Sequence, residues 1–174
     1  MIQVVLSQPA NVEAEAILRS VSSELEADTP FSRELEIQAG PEVSARLQAM
    51  GDLPVGAAVI TPAGELPVGF LIHVVVQSMD QPITPNGLRL ALQNGLRRAE
   101  EWGLETLAVP PLGTGAGNMD TEEVAAVMVP LITDHLTLTP SPREVLIVVE
   151  TGYEKDVFSR AVEKTQATAS GREG

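Results

Sequence analysis

The chain contains no cysteine, so no disulfide can cross-link it and no thiolate can act as nucleophile or metal ligand. That points to a reducing compartment, and the cytoplasm is the expected location. Aromatic residues make up only 3% of 174 residues, which leaves Val, Leu, Ile and Ala to build the core. Positive charge is scarce: 11 Lys and Arg stand against 24 Asp and Glu, for a formal net charge of −13. Nucleic-acid binding depends on Lys and Arg neutralising phosphates, so this balance argues against it. It does not exclude a small phosphate ligand held by backbone N–H groups, which needs no basic side chain. No apolar run approaches the length of a membrane span, and Met1, Ile2 and Gln3 lead into a strand pattern rather than a signal peptide. The two histidines, His73 and His135, are far apart, so no metal-ligand spacing is visible and no cofactor is implied. His73 lies mid-strand among aliphatic residues and reads as a hydrogen-bonded structural histidine.

The 44% hydrophobic content with 20% charged residues is that of a globular protein. Residues 1–167 read as one domain and 168–174 as a frayed tail. Strands are predicted at 2–6, 15–21, 56–61, 70–77, 106–109 and 144–150, the fourth being the strongest. Residues 22–30 are polar and acidic and read as a loop. Ser32 is a candidate cap for a helix through Ala39, and Pro41 starts another running to Met50. Thr84 and Pro85 open a helix whose Leu88, Leu92, Leu96, Ala99 and Trp102 are spaced for one buried face, with Gly103 closing it. A further helix follows Asp120, where Pro130 is expected to bend it or end its regular part. The last helix is predicted over 153–165. Strands alternating with helices from residue 51 onward predict an α/β fold with helices on both faces of a mixed sheet.

The stretch 104–129 stands out. A short apolar strand runs through Pro110, Pro111 and Leu112 into Gly113, Thr114, Gly115, Ala116 and Gly117. Asp120, with Glu123 three residues on, makes a capping-box helix start. Strand, glycine-rich turn and helix N-terminus together suit an anion, because residues without bulky side chains let N–H groups turn inward and the helix dipole adds positive potential. The spacing matches neither the dinucleotide fingerprint nor the P-loop. Taken alone, the loop fits a crossover turn that binds nothing equally well.

Over residues 51–136 the chain resembles a macro domain, the ADP-ribose-binding module. GDLPVGAAVITPAGELPVGFLIHVV is similar to the family segment in which a Gly-x-Ala strand, a turn and Leu-Pro lead into an Ile-His strand. PPLGTGAG is similar to the family's second phosphate loop. The resemblance implies a three-layer α/β/α sandwich with a mixed central sheet. It also implies phosphate contacts from the backbone of Gly113, Thr114, Gly115, Ala116 and Gly117.

The first fifty residues depart from the family pattern. Ser7-Gln8-Pro9 stands where the family has Gly-Asp-Ile, so Gln8 has to replace the base-binding carboxylate with a neutral amide. Tyr153, after the last strand, is a second candidate base contact by stacking, or else a surface residue of the final helix. Arg19-Ser20-Val21-Ser22 replaces Asn-Ala-Ala-Asn, whose last Asn holds the distal ribose. Residues 24–30, rich in acid, replace the glycine-rich first phosphate loop. Ser32 falls near the Asp that serves catalysis in hydrolytic relatives, and Gly117 stands in for a ribose-covering aromatic. Each lost hydrogen bond costs about 1–3 kcal/mol, so several together weaken micromolar binding to millimolar or less. Three readings follow. The first is a module that binds ADP-ribose or a related nucleotide diphosphate weakly and without catalysis. The second is an ADP-ribosyl or O-acetyl-ADP-ribose hydrolase. The third is a ligand-free pseudo-domain used in protein interaction or oligomerisation.

Overall fold

A computed structural model describes residues 1–114 and 119–172. Six strands form one sheet: β1 (Ile2–Leu6), β2 (Ala16–Ser22), β3 (Ala58–Pro62), β4 (Phe70–Gln77), β5 (Thr106–Val109) and β6 (Glu144–Val149). Their spatial order is β1-β6-β5-β2-β4-β3. Every neighbouring pair is parallel except β3 and β4, as expected for two strands joined by a short turn. Five α-helices complete the fold: α1 (Pro30–Ala39), α2 (Pro41–Met50), α3 (Pro85–Glu101), α4 (Thr121–Leu138) and α5 (Gly152–Ser170). A 3-10 turn, Pro9–Asn11, follows β1.

The period-2 alternation of the strands divides the core in two. Ala16 and Leu18 of β2, with Ile72, Val74 and Val76 of β4, face the layer built by α3, α4 and α5. Ile17 and Val21, with Leu71 and Val75, face α1 and α2. Leu88, Leu92, Leu96 and Ala99 of α3 are fully buried, and truncating one of these leucines to Ala costs about 2–5 kcal/mol. Between them Gly95 lies so close to β2 that a Cβ there would sit 2.5 Å from Leu18 Cδ1. The result is a three-layer α/β/α sandwich with a mixed sheet, as the sequence predicts, with β4, β5 and β6 all inside it.

Four local expectations need correction. Trp102 is not on the buried face of α3. The helix ends at Glu101, Gly103 turns the chain at φ +64°, and the indole lies 54% exposed against the ring of Phe70. The cap of α1 is Thr29, whose hydroxyl accepts from Ser32 N at 3.1 Å, because Pro30 occupies the first helical position. Of the two outcomes expected at Pro130, a bend or an end, the end does not occur: α4 continues to Leu138. The last helix runs past residue 165 to Ser170. Among the described residues no helix is long and apolar enough to cross a membrane.

Candidate functional site

The chain enters the sheet at the β1 edge, crosses to β2 and β4, and returns with β5 between β2 and β6. Ligands of open α/β sheets sit beyond the carboxyl ends of the strands at such a reversal. β2 and β5 pair only at Ala16↔Leu107 and Ile17↔Ala108. Next to this pair, beyond the carboxyl ends of β5 and β6, lies a cavity of about 320 Å³. Its walls come from Thr29, Pro30 and Phe31, from Pro110, Pro111 and Thr114, from Thr121, and from Val148, Glu150, Thr151 and Glu154. These residues include the N-terminal turns of α1, α4 and α5. Three helix dipoles therefore bring their positive ends to one hollow. A larger groove of about 660 Å³ runs between the outer faces of α4 and α5, away from the strand ends.

The second-loop wall is shaped by the backbone. Leu112 is fully buried. Gly113 follows in the left-handed region at φ +74°, where a Cβ would come 3.0 Å from Ile83 Cγ2. Met119 N donates to Gly113 O at 3.0 Å, which closes the loop on itself. Asp120 caps α4 by accepting from Glu122 N at 2.9 Å. Gly113 is thus buried at the base of the loop and Thr114 lines the cavity. Gly115, Ala116 and Gly117 lie outside the described residues.

On the α1 side, the side chains are turned into the protein. Arg19 is fully buried and sits opposite His73 in the β2–β4 register. Its Nε donates to His73 Nδ1 at 2.9 Å, and its Nη1 reaches Ser32 O at 3.0 Å and Glu36 Oε2 at 3.2 Å. Since Arg19 can only donate, His73 Nδ1 is the acceptor and the proton resides on Nε2, which donates to Thr61 Oγ1 at 2.9 Å. Burial, reinforced by the Arg19 charge, holds His73 well below its ordinary 6.5. His73 is therefore a neutral structural histidine. Ser32 is buried and its hydroxyl donates to Ser20 O at 2.7 Å.

The loop from β2 to α1 is folded down over this network. Ser22 N donates to Glu26 O at 2.9 Å and Leu25 N to Ser22 O at 2.8 Å. Leu25 takes a left-handed φ of +66° to bury its side chain, a conformation that costs a non-glycine residue about 1–3 kcal/mol. Ser20 Oγ donates to Asp28 Oδ1 at 2.6 Å. Burial pushes the Asp28 carboxyl above its ordinary value, against the pull of the Ser20 bond and the Arg19 charge.

The third wall was not singled out from the sequence, although it carries a visible signal. Thr151 and Glu154 form a Thr-x-x-Glu capping box. Glu154 N donates to Thr151 Oγ1 at 3.1 Å, while Glu154 Oε1 accepts from Thr151 Oγ1 at 3.2 Å and Glu150 N at 3.1 Å. The Glu150 carboxyl titrates above its ordinary value through partial burial, then through repulsion from Glu154 and Glu34. No Lys, Arg or His lines the cavity among the described residues, so any attraction for an anion comes from backbone dipoles. The two candidate base contacts stand outside it: Gln8 is exposed before the 3-10 turn, and Tyr153 is 57% exposed on the first turn of α5. Among the described residues, no group of three or more His, Asp or Glu side chains could hold a metal ion.

Comparison with known proteins agrees with this architecture. The chain is 28% identical over 158 residues to a macro domain-containing protein of Caldanaerobacter subterraneus, covering 87% of this chain and 90% of that one. It is 35% identical over 108 residues to an O-acetyl-ADP-ribose deacetylase of Enterobacter cloacae, covering 58% of this chain and 57% of the enzyme. It spans 44% of the length of the Mycobacterium bovis relative it matches. In fold it superposes on an Oceanobacillus iheyensis macrodomain with ADPR at a TM-score of 0.84 and 20% identity, covering 92% of this chain and 91% of that one. The macro domain family model matches residues 19–128, from the buried Arg19 through the glycine loop into α4, and the chain belongs to the macro domain family.

Proposed function

We propose that the protein binds ADP-ribose or a related nucleotide diphosphate in the cavity at the carboxyl ends of β5 and β6, weakly and without catalysis. The observation that carries this reading is the convergence of the α1, α4 and α5 N-termini on a hollow walled by Thr114. Such a site takes phosphate by backbone donors and dipoles alone. The pyrophosphate contacts are assigned to the backbone of Gly113, Thr114, Gly115, Ala116 and Gly117. Gln8 and Tyr153 border the strand ends as the remaining groups for a base. Weak binding follows from the acidic lining, with Glu150 and Glu154 in the cavity and Glu34 near enough to repel Glu150. The absence of turnover follows from Ser32, whose hydroxyl is committed to Ser20 O, and from Ser22, which brings no amide to the end of β2. The lack of cysteine supports a cytoplasmic setting.

Isothermal titration with ADP-ribose, AMP and pyrophosphate tests the reading. Wild type is expected to bind ADP-ribose, and Gly115→Glu to lose binding while its circular dichroism is unchanged. Thr114→Ala, which keeps the backbone donor, is expected to cost much less. Equal affinity in wild type and Gly115→Glu would show that the loop is only a turn. Incubation with mono-ADP-ribosylated protein is expected to leave the label in place; release at the rate of an active hydrolase would refute the absence of catalysis.

A further inference from the structure

Helix α4 is unusual for a helix with one side in solvent. From Val124 to Ile132 it reads VAAVMVPLI, a run without a polar side chain. A helix at the surface carries polar residues on its outer face, and one that is apolar all round is covered on every side. The sheet side accounts for Val124, Ala125, Met128, Val129 and Ile132, which are buried. The same run leaves Ala126 and Pro130 exposed. Both lie in the groove of about 660 Å³ between α4 and α5, apart from the cavity at the strand ends.

Helix α5 sorts its charges about this groove. Arg160, Lys164 and Arg172, spaced at multiples of four, line it, whereas Asp156 and Glu163 of the same helix do not. The chain has only 11 Lys and Arg against 24 Asp and Glu, yet among the described residues none of these three cations forms an ion pair. Arg160 Nε donates to Asp156 O, one turn back, at 3.3 Å. The opposite wall carries Glu122 and Asp134 of α4. A basic rim thus faces an acidic rim across an apolar floor, and no ion pair bridges the two.

We propose that this groove docks an amphipathic helix of a partner protein, with carboxylates along the edge that meets α5 and Lys or Arg along the edge that meets α4. An extended segment would leave backbone groups without partners over a floor of alanine and proline side chains, whereas a helix satisfies its own. Glu122 and Asp134 stand about 18 Å apart along the α4 axis, the length of a helix of about 12 residues. The charge order of the two rims selects the partner. Because the rims have opposite signs, the fit depends on charges in contact and not on the net charge of −13, which salt screens beyond about 8 Å. Three helical turns make a small interface, so the complex is transient.

Fluorescence anisotropy with a designed probe reads the docking. The probe is a labelled 14-residue helix with Ala and Leu on one face, Glu along one edge and Lys along the other. At about 0.15 M salt the full chain is expected to bind it with a Kd on the order of 100 μM. Arg160→Glu/Lys164→Glu is expected to weaken it about tenfold, and to prefer a peptide with Lys on both edges. Arg89→Glu/Arg97→Glu on α3, which changes the net charge equally outside the groove, is expected to bind the probe as wild type does. Ala126→Glu puts a charge on the floor and is expected to abolish binding with unchanged circular dichroism; if it fails to fold, the rim variants carry the test. No binding by wild type up to about 1 mM overturns the proposal. So does an equal loss in the α3 variant, which assigns the effect to net charge, or full affinity in Arg160→Glu/Lys164→Glu. Sedimentation of the protein alone as a dimer that Ala126→Glu dissociates gives the groove to a second copy, and also overturns it.

Discussion

The two loops that flank the cavity leave neighbouring strands and meet the same solvent, yet they are built on opposite principles. The loop after β5 is held at its base by the backbone bond from Met119 N to Gly113 O. The loop after β2 is fastened from below by Arg19, Asp28 and Glu36, with side chains consuming one another's hydrogen bonds. One loop is closed by a backbone hydrogen bond; the other spends its side chains on the fold. The contrast explains how the α1 side keeps its shape. Buried Arg19 organises the interior of that side, bonding His73, Ser32 O and Glu36.

The sharpest way to break this comparison is Arg19→Ala. It strips donors from His73, Ser32 O and Glu36 in one step and leaves a carboxylate half-buried without its partner. Urea denaturation is expected to show a loss of about 3–5 kcal/mol. A loss below about 1 kcal/mol would mean that the α1 wall is not held by this network.

A second test uses acidity. The unfolded chain protonates His73 near 6.5, while the native pKa lies well below it. Between those two values the unfolded state binds more protons, so stability falls as pH drops from about 6.5, by up to about 1.4 kcal/mol per pH unit. Asp28 works the other way. Its native carboxyl is raised above 3.8, so acidification through that window stabilises the fold. Denaturation across pH 4–8 is expected to lose the descending slope in His73→Gln; an unchanged profile would show that the imidazole is already solvated.

The smallest expected effect bears on the open side. Glu150 lies in the cavity and repels an anion when charged. Glu150→Gln is expected to tighten ADP-ribose binding roughly two- to fivefold at neutral pH. Wild-type affinity is expected to rise as pH falls toward the elevated Glu150 pKa. Calorimetry at two pH values checks both, and unchanged affinity in Glu150→Gln would place the phosphates away from α5.

The architecture was legible because it rests on periodicity: the FLIHVVVQ strand, the leucines of α3 and the β-branched runs at 2–6 and 144–149 can bury themselves in few other ways. The strand-to-helix turn after β5 was legible as a motif, and the place of Gly113 and Thr114 beyond that strand's carboxyl end follows from topology. Three features stayed hidden for physical reasons. Arg19 looks like a surface residue in a string, and only the register brings it opposite His73. The cap of α1 passed to Thr29 because proline at the first helical position moves the start back toward residue 29. The acidic rim joins Glu34 of α1 to Glu150 and Glu154, a proximity that more than a hundred intervening residues conceal.

The hydrogen bond from Met119 N to Gly113 O has a consequence for how this domain can change. It makes a clasp whose two sides are anchored by buried Leu112 and by the capped start of α4. The clasp ties the segment that follows β5 to the first turn of α4, so a change that opens it loosens the floor and one wall of the cavity together.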